Sequence, residues 1–171
     1  MDYIKTINMQ GRKFHLYQLP HNVYSCFDAY MHKRDILKSQ AQELKSIVLI
    51  TDKGLHVIHL PGDKLVNIGA VRKALNAQEV IVPINPNDPK KKSDIRRLDP
   101  EDKLSELKIK YGTVCPFLDK IWKLPQLISE DVFEMQTVST NSGKHDQCIF
   151  FDPQYLKDNP NIVCIGELSK S

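Results

Sequence analysis

No two cysteines of this chain stand as a CxxC pair, and none of the four (Cys26, Cys115, Cys148, Cys164) has a histidine at zinc-ligand spacing. A zinc knuckle is therefore excluded, and free thiols in a reducing cytoplasm are expected. Phosphate-cradling loops of the form GxxxxGKS/T or GxGxxG are absent, as are a GxSxG elbow and an HExxH helix, so no cofactor or metal is expected. No run approaches the roughly 18 apolar residues of a membrane-spanning helix. The opening MDYIKTINMQGRKFHLYQ assembles no apolar signal core, so neither membrane nor secretion is expected. Internal repeats and low-complexity tracts are also missing.

What remains is an ordinary globular composition, 41% hydrophobic and 26% charged over 171 residues, enough for one domain with its own core. Net charge is only +3, which permits an anionic partner without demanding one. Residues 1–20 read as a polar, irregular extension with one short strand at Lys13–Leu16, and 21–171 as a single domain. Asn22 is the expected cap of a helix through VYSCFDAYMHKRD, with Val23, Cys26, Phe27, Tyr30 and Met31 at helical spacing. ILKSQAQEL continues as a second helical piece. SIVLIT at Ser46–Thr51, a DKG turn at Asp52–Gly54 and LHVIHL at Leu55–Leu60 predict a hairpin, closed by Pro61-Gly62-Asp63.

Asn67 is expected to cap IGAVRKALN, with strand EVIVPI after it at Glu79–Ile84. Asn85–Arg97 reads as an exposed loop, and Asp99-Pro100-Glu101-Asp102 as the start of a helix ending near Lys110. Further expectations are a strand over Ile121–Ile128 and a short acidic helix or turn at Ser129–Met135. Strands at Thr137–Thr140 and Gln147–Phe151 should flank a turn on Ser142-Gly143. DPQYLKDNP is a short helix and loop, and IVCIGEL at Ile162–Leu168 closes the sheet. The fold class is α+β: a mixed, barrel-like sheet surrounded by helices.

Candidate chemistry is sparse. His56 and His59 lie three apart in one strand, on opposite faces, which argues against a shared metal; all six histidines read as surface or edge residues. Lys45, directly before SIVLIT, either flanks the strand as an exposed charge or reaches into a cavity at the sheet's end. In KYGTVCPF, Lys110–Phe117, Gly112 lets backbone donors approach a ligand, Pro116 fixes the turn, and Cys115 reads better as a buried thiol than as a nucleophile. STNSGKHD, Ser139–Asp146, offers a second small-residue loop with Asn141 and His145. The basic run KKKSDIRR contains Lys90, Lys91, Lys92, Arg96 and Arg97 and would meet phosphates if a nucleic acid docked there.

In order and spacing these pieces resemble the YbaK family, the prolyl-tRNA synthetase-associated editing domain. The matching elements are Lys45-Ser46, the strand–turn–strand ending in PGD, Ala74-Leu75, the loop Gly112–Phe117, Thr140–Gly143, CIFF and DPQYL, over about residues 24–168. The resemblance implies a cytoplasmic aminoacyl-tRNA deacylase that hydrolyses a small, wrong amino acid ester from the tRNA 3′ end. Its partners would be tRNA and a synthetase, not DNA. It implies that Lys45 is the essential lysine and Gly112 the glycine beside the scissile bond. Ser46, Thr113, Val114, Pro116, Asn141, Gly143 and His145 would line the substrate, with the basic run on the tRNA. Thr113 stands where many relatives have glycine and Cys115 where some have serine, so a non-catalytic module that binds tRNA or a synthetase is the alternative.

Overall fold

The computed structural model describes residues 4–9, 11–82 and 107–171. Eleven strands and three short α-helices occur within them. In chain order they are β1 (Ile4–Met9), β2 (Arg12–Gln18), α1 (Cys26–Lys33), β3 (Leu44–Thr51), β4 (Gly54–Pro61) and β5 (Leu65–Val66). Then follow α2 (Ile68–Leu75), β6 (Val80–Ile81), α3 (Asp119–Trp122), β7 (Gln126–Ser129), β8 (Val138–Lys144), β9 (Gln147–Phe151), β10 (Ile162–Ile165) and β11 (Ser169–Lys170).

The expected hairpin forms the centre of the molecule. β3 and β4 pair antiparallel from Thr51↔Gly54 to Leu44↔Pro61, and Gly54 takes the left-handed φ of +104° that the tight turn requires. On its other side β4 pairs parallel with β7, giving the sheet order β10-β7-β4-β3-β6. Being central, β4 is covered on both faces and buried from His56 to Pro61. This corrects the surface or edge reading of two histidines: His56 and His59 are both buried, His59 completely. Leu49, Ile58, Leu60 and Val71 pack one face of this sheet against α2, while Val48, Val57, Val114 and Ile121 form a core on the other.

A second sheet, β1-β2-β9-β8, is antiparallel throughout. β1 and β2 thus pair antiparallel and β2 pairs in turn with β9, more regular than the polar, irregular stretch expected from sequence. Alternation explains it: Phe14 points inward, 1% exposed, against Phe117, Phe151 and Tyr155, while Lys13 faces water. One parallel bridge, Glu43↔Ser139, joins the two sheets. A small pair, β5 with β11, completes a mixed α+β architecture of several sheets and few helices.

Local departures from expectation have local causes. Ser25, not Asn22, caps α1, accepting from Asp28 N at 3.1 Å. Ala29 and Lys33 are the buried positions of α1, so the apolar face read from spacing is turned outward: Phe27 is 56% and Met31 41% exposed. ILKSQAQEL yields only a 3-10 turn at Gln40–Gln42. Ile121–Ile128 is not one strand, because Pro125 separates α3 from β7. β8 runs on to Lys144 through an irregularity at Asn141–Lys144, where Gly143 has φ +94°, and the turn moves to His145–Asp146. Of the helix expected over Asp99–Lys110, residues 107–110 are turn and coil; its start, the loop Asn85–Arg97 and the end of EVIVPI lie outside the described residues.

Candidate active site

Past the Glu43↔Ser139 bridge no further pair joins β3 to β8 among the described residues, and a cavity of about 380 Å³ lies there. Lys45 and Ser46 of β3 line one wall. Thr140, Asn141 and Cys148 of β8 and β9 line the opposite one. Tyr111, Gly112 and Val114 close a third side, and Tyr24 and Phe27 at the start of α1 stand at the rim, half-exposed.

Hydrogen bonds fix the glycine loop in place. Asn141 Nδ2 donates to the Val114 carbonyl at 3.0 Å, and His145 Nε2 donates to the Tyr111 carbonyl at 2.7 Å. Gly112 has φ +79°, and a Cβ there would sit 3.5 Å from His145 Nε2. The backbone conformation requires glycine, then, more than the space does. Gly62 is different. A Cβ on it would stand 2.4 Å from the Glu43 carbonyl oxygen, so the Pro61-Gly62-Asp63 turn can lie against the start of β3 only without a side chain.

Six of the expected site residues meet at this cavity: Lys45, Ser46, Gly112, Val114, Asn141 and His145. Three others do not line it. Thr113 is buried and donates its hydroxyl to the Lys110 carbonyl at 2.6 Å. Pro116 is buried behind the loop, and Gly143 lies against Leu118 in a neighbouring depression shared with Thr113. Lys90, Lys91, Lys92, Arg96 and Arg97 lie outside the described residues. The Lys45 ammonium donates to the carbonyl of Lys64, in the turn that also carries Gly62, so it is anchored on that side of the cavity.

Sequence reasoning missed a buried polar cluster at the same place. Lys33 is wholly buried, 2.7 Å from Glu43 Oε1, and donates to Ser139 Oγ at 2.7 Å. Burial pushes the Glu43 carboxyl up while Lys33 pulls it back. Thr140 Oγ1, also buried, has no hydrogen-bond partner among the described residues. Lys33 lies four residues after the buried Ala29 and so shares its helical face, but no sequence signal marks that face as the covered one.

The thiols are poor nucleophiles. Burial raises Cys115 to about 11, and burial with the nearby Glu43 charge raises Cys26 to about 11 as well. Neither carries useful thiolate near neutrality.

Solved structures share this fold. That of the hypothetical protein APE2540 aligns with a TM-score of 0.69 at 16% identity, covering 92% of this chain and 91% of that one. One described as a candidate trans-editing enzyme for prolyl tRNA synthetase aligns at 0.68 and 16%, covering 92% and 87%. A scaffold used for computational epitope grafting aligns at 0.68 and 15%, with the same coverage. At these identities the likeness is one of fold. No curated protein matches the chain. Residues 22–158 match the aminoacyl-tRNA editing domain model, and with four-fifths of its length so matched the chain belongs to the aminoacyl-tRNA editing domain family.

Proposed function

We propose that this chain is a free-standing trans-editing hydrolase that removes a small, wrong amino acid from the 3′ end of tRNA. One observation supports the reading: Lys45, Ser46 and Gly112 line one cavity, together with the aromatic residues Tyr24, Phe27 and Tyr111. A synthetase pocket separates amino acids differing by a methylene only weakly, so a second site of limited size adds the missing discrimination. The ester is already activated. Orientation and stabilisation of the developing oxyanion supply most of what its hydrolysis needs, with water attacking the carbonyl, the neighbouring ribose hydroxyl positioned to assist it, and the ester oxygen leaving with a proton. Backbone donors around Gly112 would meet the oxyanion, and the Lys45 cation would hold the substrate. Tyr24, Phe27 and Tyr111 offer ring faces for unpaired bases of the RNA end.

The test is a panel of tRNAs charged with alanine, serine, threonine or cysteine, offered to the wild type and to Lys45→Ala. Release of at least one amino acid by the wild type, and its loss in a folded Lys45→Ala protein, is the expected result. Full activity of the variant removes Lys45 from the mechanism. The Lys45–Lys64 contact favours one alternative, a non-catalytic module that binds tRNA or a synthetase, because it leaves the ammonium engaged. Such a module binds members of the panel and releases nothing.

A further inference from the structure

Ser46, His59 and Gln126 form a chain of hydrogen bonds ending at the cavity, and every proton in it can be assigned. Gln126 is buried, and its Nε2 donates to the carbonyls of Ile121 at 2.8 Å and Trp122 at 3.3 Å. Those two acceptors demand the amide nitrogen, so the amide oxygen faces His59. His59 Nε2 lies 2.6 Å from that oxygen and must carry a hydrogen. The ring is fully buried, no acid lies against it among the described residues, and burial lowers its pKa to about 4, so it is neutral and Nδ1 is bare. Ser46 Oγ, 2.8 Å from Nδ1, is left to donate.

A serine hydroxyl has one hydrogen, and here it is spent on His59. Ser46 lines the cavity, and toward any ligand there its Oγ has lone pairs but no second hydrogen to offer. We propose that Ser46 Oγ is a fixed hydrogen-bond acceptor for the free α-amino group of the aminoacyl ester, with His59 and Gln126 as the positioning residues that keep it so. This rests on the deacylase reading and deepens it: the substrate class becomes esters that carry an α-amine. That amine is the donor next to the scissile carbonyl, and it donates whether or not it is protonated.

The arrangement has the outline of a nucleophile–base–orienter triad, but it does not behave as one. Taking the serine proton would create an imidazolium in a buried site whose partner beyond it, among the described residues, is a neutral amide. The relay holds a direction of donation; it does not move a proton.

The experiment pairs each substrate ester with its des-amino counterpart, the same acyl chain with hydrogen in place of the amine and so no donor there, for wild type, Ser46→Ala and Ser46→Thr. The wild type should cleave the free-amine ester about tenfold faster or more, the worth of one good hydrogen bond. Ser46→Ala should lose that preference by slowing only the free-amine ester, and Ser46→Thr should keep it. Equal cleavage of both esters by the wild type, equal slowing of both by Ser46→Ala, or an acyl group trapped on Ser46 overturns the proposal. Amide-linked aminoacyl-adenosine, which cannot be hydrolysed in this way, gives a readout without turnover. The free-amine form should bind wild type more tightly than Ser46→Ala, and the des-amino form equally. A protein that binds with this preference yet cleaves nothing defeats the deacylase reading alone. Nitrogen NMR of His59 in the full chain should show hydrogen on Nε2 only; a protonated Nδ1 at neutral pH also overturns the proposal.

Discussion

Lys33 and Glu43 form an ion pair at 2.7 Å in which the lysine is wholly buried and the carboxylate nearly so. The pair sits where the two sheets meet, since Glu43 bridges to Ser139 and Lys33 donates to that serine's hydroxyl. Desolvating both charges is costly, and their mutual attraction offsets it together with the Ser139 hydrogen bond. Removing one partner strands the other. Lys33→Met should destabilise the protein by about 3–5 kcal/mol in urea denaturation. The double variant Lys33→Met/Glu43→Gln should recover part of that loss. A single variant as stable as wild type would show that the pair contributes nothing to joining the sheets.

His59 makes stability depend on pH with a definite sign. Its pKa, about 4 in the folded chain against an ordinary 6.5, means that the unfolded chain binds the proton first on acidification. Its contribution is complete above pH 6.5 and is lost as pH falls toward 4, by up to about 3 kcal/mol. Glu43 acts oppositely: its raised pKa favours the folded chain on acidification, and that benefit fades as pH rises above 4.5. The difference between wild type and His59→Gln, followed by urea midpoints from pH 7 to 4, isolates the histidine. Parallel curves would contradict its buried, neutral state.

Gly62→Ala places a methyl 2.4 Å from the Glu43 carbonyl oxygen and 2.7 Å from that of Gln40. Both obstacles are backbone, so the turn must move. A loss of about 1–3 kcal/mol is expected, with a drop in deacylation because the displaced strand carries Lys45 and Ser46. Unchanged melting temperature and turnover would mean that the turn has room the structure does not give it.

The basic run is tested by charge. Neutralising Lys90, Lys91 and Lys92 together should weaken tRNA binding and flatten its dependence on salt. An unaltered slope removes the run from the RNA interface.

Some of the fold was legible residue by residue. The β3–β4 hairpin is announced by two apolar runs around Asp52-Lys53-Gly54, and the cap of α2 by Asn67, whose side chain accepts from Ala70 N. Turn geometry and capping are settled within a few residues, so a short window holds the information. The outward face of α1 was misread for the opposite reason: Phe27 and Met31 have helical spacing, but only the packing of distant strands determines which face is covered.

By itself, then, the sequence determined the local elements and placed Lys45, Ser46 and Gly112 in motifs that fit an editing domain. Only the tertiary structure decided that His59 is buried, that Lys33 pairs with Glu43, and that Ser46 lines a cavity with its hydroxyl against His59. The reason is physical. A polar group's burial and protonation depend on what touches it, and for His59 that is Gln126, 67 residues away along the chain.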